Sequence, residues 1–362
     1  VAQYRGYVDD DIWRKIVELL ERSLDPSCQQ LEDITNCRYP LPNVSIKGHL
    51  ELLELLLDHG LDVNKVVGSV KSTLLHIAVN KGHVPVVRLL LQRGANINKT
   101  NNRGDTPLHY SIPISHLSVL LLVLKARCDF GVKDNKGNTS LHSSSFNGHL
   151  TVCQLLVEAG CVPRVKNNKG DTPLHYSASS GHLTLCQLLV EAGCDPRVKN
   201  NEGDTPLHSS SSNGHLTVCQ LLVETGCDPR VKNNEGDTPL HSSSFNGHLK
   251  VCQLLVKAGC DLGVKNNKGN TPLHFSSSNG HLKVCQLLVE AGCDPRVKNI
   301  KGDTPLHYSA YIGHLTLCQL LVEAGCDPGV KNNGGNTPLH YSCYYGHLTV
   351  CQLLVEAGCV PG

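Results

Sequence analysis

Thr172 to Asp204 reads TPLHYSASSGHLTLCQLLVEAGCDPRVKNNEGD, and this stretch decides the fold. Thr172 stands where a helix N-cap belongs, and Pro173 falls in the first turn, where a missing N–H is tolerated. Gly181 ends that helix and lets the chain reverse. Leu183, Leu185, Cys186, Leu188, Leu189 and Val190 then make a second helix apolar around much of its circumference, which predicts burial between neighbours. Gly193 stops it. The closing Asp195-Pro196-Arg197-Val198-Lys199-Asn200-Asn201-Glu202-Gly203-Asp204 has the proline, paired Asn and Gly of a turn or hairpin. Two short helices cannot enclose a core, so such a unit needs copies of itself to stack on.

The copies are present. Thr-Pro-Leu-His, or a near variant, begins at Thr73, Thr106, Thr139, Thr172, Thr205, Thr238, Thr271, Thr304 and Thr337, always 33 residues apart. Gly-His-Leu or a variant of it follows each, as at Gly214-His215-Leu216. A weaker copy starts at Tyr39-Pro40-Leu41, out of step by one residue because Lys65 to Ser72 holds an insertion. Internal repetition at this period is the mark of a solenoid. The length of 362 residues also exceeds the ~250–300 at which one core stops growing.

The 33-residue period, the Thr-Pro-Leu-His opening, the Gly-His-Leu between helices and the Asn-Asn-x-Gly turn closely resemble the ankyrin repeat family over residues 39–362. The resemblance implies an all-α repeat solenoid of helix-turn-helix units joined by β-hairpin-like turns. Its ten units would be 39–72, 73–105, 106–138, 139–171, 172–204, 205–237, 238–270, 271–303, 304–336 and 337–362. Three departures stand out. Ser177, Ser210 and Ser243 replace the family's small Ala. Asp-Pro-Arg replaces Asp-Val-Asn. The unit from Thr106 has Pro113 within its first helix and Ser115 in place of Gly. Residues 1–38 are less regular. Asp11 to Leu24 patterns as an amphipathic helix, read as a degenerate half-repeat capping the N-terminal face, and Cys28 to Cys37 reads as a loop.

Eighteen Cys and twenty His invite a metal reading. Nineteen of the His lie in the two repeat motifs, and fifteen Cys lie in two columns. One column is mid-helix, as at Cys186, and the other is at the helix end, as at Cys194. The unit from Thr73 has Val87 and Ala95 there, which suggests thiols used as small buried hydrophobes. Cys153, Cys161, His175 and His182 have the wrong gaps for a zinc finger. Stacked helices about 8–10 Å apart also keep Cys of one column beyond the ~7 Å that a disulfide allows. The expectation is therefore no metal, no cofactor and reduced thiols, as in the cytosol or nucleus. The motif His are expected to bond backbone groups left open at helix ends.

Lys+Arg number 33 against 32 Asp+Glu, which argues against a nucleic-acid footprint. No apolar run reaches the ~18–20 residues of a membrane span. The beginning carries no signal pattern. No phosphate loop, nucleophile elbow or supported carboxylate pair occurs, so neither catalysis nor a small-molecule substrate is expected. Methionine is absent, and Leu348, Val350, Leu353, Leu354 and Val355 give the last unit no polar capping face. Both suggest a piece of a longer protein.

Binding is then expected where repeats differ. The two residues before Gly-His-Leu are small and polar in most units, but Tyr311-Ile312 and Tyr344-Tyr345 in the last two. The family resemblance implies that these positions and the turn tips line the concave binding face. The tip before Thr304 carries Ile300 and Lys301, and Phe245 is a lesser candidate. Tyr311, Ile312, Tyr344 and Tyr345 should lie side by side about 8–10 Å apart, offering a protein partner an aromatic contact surface. The competing reading packs these rings on neighbouring helices as core. The expected function is a cytosolic adaptor or scaffold segment. The alternatives are a regulatory or recruiting arm of a kinase, ubiquitin-ligase adaptor or channel, and an elastic spacer array.

Overall fold

The computed structural model describes residues 50–58, 60–112 and 116–359. The expected N-terminal helix, the Cys28–Cys37 loop, Pro113 and Ser115 lie outside them. Two compact units divide the chain, one reaching Val162 and the other running from Pro163. Nineteen helices occur among the described residues, and after the nine-residue Leu50–Asp58 the other eighteen come in pairs, a shorter first and a nine-residue second helix. In the unit from Pro163, first helices stack on first helices from Pro173–Ser179 through Pro206–Ser212 to Pro338–Tyr344. Second helices stack likewise from Leu183–Glu191 to Leu348–Glu356. This is a stacked solenoid.

Local chemistry explains each pair. Thr172 is extended, and its side chain accepts the backbone N–H of His175 while the His175 side chain accepts the Thr172 N–H. This is the reciprocal capping box usually closed by Glu or Gln at the third helical position. Here the imidazole Nδ1 takes that role, and Pro173 holds the first position. Leu174, Leu185, Cys186 and Leu189 are fully buried between helices. Each buried leucine contributes about 1.5–3 kcal/mol against exposure to water.

The Asn-x-x-Gly tip is closed by backbone bonds, Asn200 N–H to Asp204 C=O at 2.9 Å and Gly203 N–H to Asn200 C=O at 3.0 Å. It is too short to form strands. Among the described residues the one strand pair is Val66–Val67 against Ser72–Thr73, antiparallel, where the insertion supplies extra length.

The unit from Thr106 is irregular where the proline predicts it. Its first helix is only Pro107–Tyr110. Proline at 113 disfavours helical backbone at the residue before it and cannot donate to the ladder. The same unit places Arg127 where its siblings have glycine, at φ +56°. That left-handed conformation costs a side chain about 1–2 kcal/mol.

Candidate functional site

Polar side chains, as well as apolar ones, join successive repeats. His175 Nε2–H donates to the Asp204 carbonyl at 3.1 Å, which fixes the backbone entering the next Thr205 cap. His208, His241, His274 and His307 do the same at 3.1–3.2 Å. The imidazole is therefore the Nε2–H tautomer, a donor on one nitrogen and an acceptor on the other. Burial pushes His241 and His274 down to about 4. The second histidine column does not cap its own helix. His215 Nε2–H reaches back to the Ser179 carbonyl at 3.0 Å, an open group at the end of the preceding first helix. Both columns thus serve backbone groups at helix ends and turns, the first at its own cap and at the end of its own repeat, the second across to the adjoining repeat.

The cysteines do more than fill space. The Cys186 thiol donates to Ser177 Oγ at 3.2 Å, and Ser177 Oγ–H donates to the Leu174 carbonyl at 3.2 Å. Cys219–Ser210, Cys252–Ser243, Cys285–Ser276 and Cys318–Ser309 repeat this buried relay. Serine in place of alanine and cysteine at mid-helix are therefore one feature. Treating the cysteines as hydrophobes missed it because the partner is nine residues back on the other helix. In the second column, Cys194, Cys227 and Cys326 donate to the Pro163, Pro196 and Pro295 carbonyls at 3.0–3.2 Å. Burial raises these three thiols to about 12, which leaves them unreactive. Among the described residues, no three His, Cys, Asp or Glu side chains converge as a metal cluster.

On this repeating frame the expected contact residues separate into groups. Tyr311 and Tyr345 meet edge to face with ring centroids 4.5 Å apart, and Tyr344 meets Tyr345 at 4.9 Å. The pairing is thus Tyr311 with Tyr345, offset by 34 residues, rather than the equivalent Tyr344. The same offset governs the polar repeats, where Asn213 Nδ2 donates to Ser179 Oγ and Asn246 Nδ2 to Ser212 Oγ, both at 3.2 Å. Tyr341 joins Tyr311 at 6.0 Å, and His347 stacks on Tyr345 at 6.4 Å. Neither was singled out from the sequence. Tyr341 follows Thr-Pro-Leu-His directly and lies three and four residues before Tyr344 and Tyr345, one helix face, which was the available signal.

The rings are not core. Tyr344 is 82% exposed, Tyr311 40% and Tyr345 47%. The neighbouring Tyr311 hydroxyl raises the Tyr345 phenol above its ordinary range. Ile312 is also exposed, at the end of the Tyr311 helix. Ile300 and Lys301 are exposed at the turn before Thr304, and Asn333 takes both of their carbonyls. Tyr311 is about 9 Å along the axis from the start of the intervening helix, so these two residues and the tyrosines occupy opposite ends of it. Phe245 is half exposed and belongs to a separate pair with Phe275, at 5.7 Å.

The family description "Ankyrin repeats (3 copies)" matches overlapping stretches from residue 14 to 362. The chain belongs to the ankyrin repeat family. Ankyrin repeats are generally protein–protein interaction modules and are typically non-catalytic. No curated protein matches this ankyrin chain. Among its described residues no helix is long and apolar enough to cross a membrane.

Proposed function

We propose that this ankyrin array is a non-catalytic adaptor or scaffold segment that holds a protein partner through the cluster of Tyr311, Tyr341, Tyr344 and Tyr345, with Ile312 at its edge. One contrast carries the reading. In the repeats from Thr172 to Asn270 the corresponding positions are mostly Ser and Asn, with Asn213 bonded to Ser179 and Asn246 to Ser212, and a single ring, Phe245. In the last two they become exposed rings in mutual contact. An exposed aromatic cluster has large contact area and hydroxyls for orientation, the composition of interface hot spots. Balanced charge favours a protein over a nucleic acid as that partner. The mid-helix thiol donors in the repeats from Thr139 onward need reduced sulfur, which supports a cytosolic or nuclear setting.

The test is quantitative affinity capture with the wild type, Tyr344→Ala, Tyr345→Ala and Ser179→Ala, followed by titration of the recovered protein. Each tyrosine substitution should weaken binding by about 1–3 kcal/mol, while Ser179→Ala leaves it unchanged. Partners retained equally by all four proteins would refute the assignment.

A further inference from the structure

Each turn in the unit from Pro163 contributes a lysine to a row, Lys166, Lys199, Lys232, Lys265, Lys298 and Lys331, at the 33-residue period. The row is built rather than scattered. Lys199 Nζ donates to the Lys232 carbonyl at 2.7 Å, Lys232 to Lys265 at 2.7 Å, Lys265 to Lys298 at 2.8 Å and Lys298 to Lys331 at 2.8 Å. Lys166 begins the ladder on the Lys199 carbonyl at 2.6 Å. A backbone carbonyl orients an ammonium without neutralising it, and leaves two of its three N–H groups for a ligand. Among the described residues no ion pair joins Lys199, Lys232, Lys265 or Lys298 to a carboxylate.

The carboxylates of these turns are held by partners other than the row, and the two arginine pairs also cancel a charge. Asp195 and Asp294 pair with Arg197 and Arg296 in their own turns, and Asp261 accepts the Gly263 N–H. Asp237 accepts from Asn266 Nδ2 at 2.8 Å. At the turn tips, Glu202 and Glu235 give way to Lys268 and Lys301 in the next two repeats. The most positive stretch is therefore Lys265, Lys268, Lys298 and Lys301.

We infer that this lysine ladder is a docking surface for an extended acidic peptide segment of a protein partner, carrying a carboxylate at every third residue. Stacked units repeat every ~8–10 Å, and three residues of a segment extended as a polyproline II helix make one full turn and rise about 9 Å, so its successive carboxylates face one side and meet successive ammonium groups. Duplex nucleic acid presents a charge every ~1.7 Å of axis, far denser than this row can match. Each lysine is already held in one arrangement, so little further side-chain freedom is lost on binding. The ladder lies with the turns, at the other end of the first helices from the tyrosine cluster, and stands or falls independently of it.

The experiment uses the whole chain and fluorescein-labelled synthetic peptides in anisotropy titrations at low and moderate salt. One peptide repeats Glu-Ser-Gly six times, the second has the same composition with its Glu residues contiguous, and a third ligand is a single-stranded oligothymidine. The periodic peptide should bind most tightly, with affinity that falls as salt rises. The double variant Lys265→Gln/Lys298→Gln should weaken it about tenfold or more, whereas Lys250→Gln/Lys257→Gln on a second helix should not. Equal affinity for the periodic and contiguous peptides would overturn the inference, as would tighter binding of the oligonucleotide or no binding at low salt. The peptide comparison is made on the unaltered protein, so it decides the matter even where a lysine variant folds poorly.

Discussion

Lowering the pH from 7 to 4 should dismantle this array, because its capping imidazoles are neutral by construction. His274 accepts the Thr271 N–H on Nδ1 at 3.0 Å and donates from Nε2 to the Asp303 carbonyl at 3.2 Å. A second ring proton would set two donors against each other. Burial, opposed by the bond to Asp303 and aided by the charges of Lys265 and His241, holds His274 at about 4 against an ordinary 6.5. His76 and His241 are also held at about 4, and His109, His175, His208 and His307 are lowered as well. The folded-state value is depressed, so the stabilisation is complete above pH 6.5. It is lost as the pH falls towards 4, because the unfolded chain takes up protons that the folded chain refuses. At 1.36 kcal/mol per unit, a gap of about 2.5 units is worth roughly 3 kcal/mol for each of the three best-defined rings, comparable in sum to the ~5–15 kcal/mol stability of a whole domain. Urea unfolding followed by circular dichroism at pH 7, 6, 5 and 4 should show a steadily falling midpoint. Glutamine is the ordinary partner in this capping box and does not titrate. His274→Gln should therefore remain folded at pH 7 and reduce the slope by about 1.4 kcal/mol per pH unit between 6.5 and 4. A flat stability profile over that range, or an unchanged slope in His274→Gln, would refute the reasoning.

The Ser–Cys relay predicts coupling: Ser177→Ala and Cys186→Val should each destabilise, and the double variant should cost less than their sum by about 0.5–1.5 kcal/mol, read from chemical denaturation. The unit Thr106–Asn138 should exchange its amide hydrogens faster than Thr172–Asp204, and Arg127→Gly should raise the denaturation midpoint by relieving about 1–2 kcal/mol of left-handed backbone. Glycines of similar φ should differ sharply. A Cβ at Gly214 (φ +77°) would lie 2.5 Å from His248 Nδ1, whereas at Gly193 (φ +90°) it would meet nothing within 4 Å. Melting curves should therefore place Gly214→Ala well below Gly193→Ala.

The period, the paired helices and the Thr-Pro start of each first helix were legible because they depend on spacing within one copy. The truncation of the helix at Tyr110 was legible for the same reason, since Pro113 acts on its immediate neighbours. The joints between copies were not legible. The acceptor for His175 is 29 residues ahead and that for His215 is 36 residues behind. Neither number follows from a 33-residue period without knowing how the helices are staggered. The tyrosine cluster shows the same limit. Its members were identifiable as departures from Ser and Asn, but the 34-residue offset that pairs Tyr311 with Tyr345 comes from the stacking.

The joints have a consequence for how such a chain can change length. Cys194, Lys199, Asn201 and His215 all donate to main-chain carbonyls of an adjoining repeat, and His175 holds the carbonyl of Asp204 at the boundary with the next. Every amino acid carries that acceptor, so the fit between neighbours scarcely depends on which neighbour is present. A segment of 33 residues inserted or excised in register would find its partners ready-made on both sides. The protein is in this respect modular like a ruler, extendable by whole divisions, while the side chains just before each Gly-His-Leu remain free to diverge without disturbing the joints.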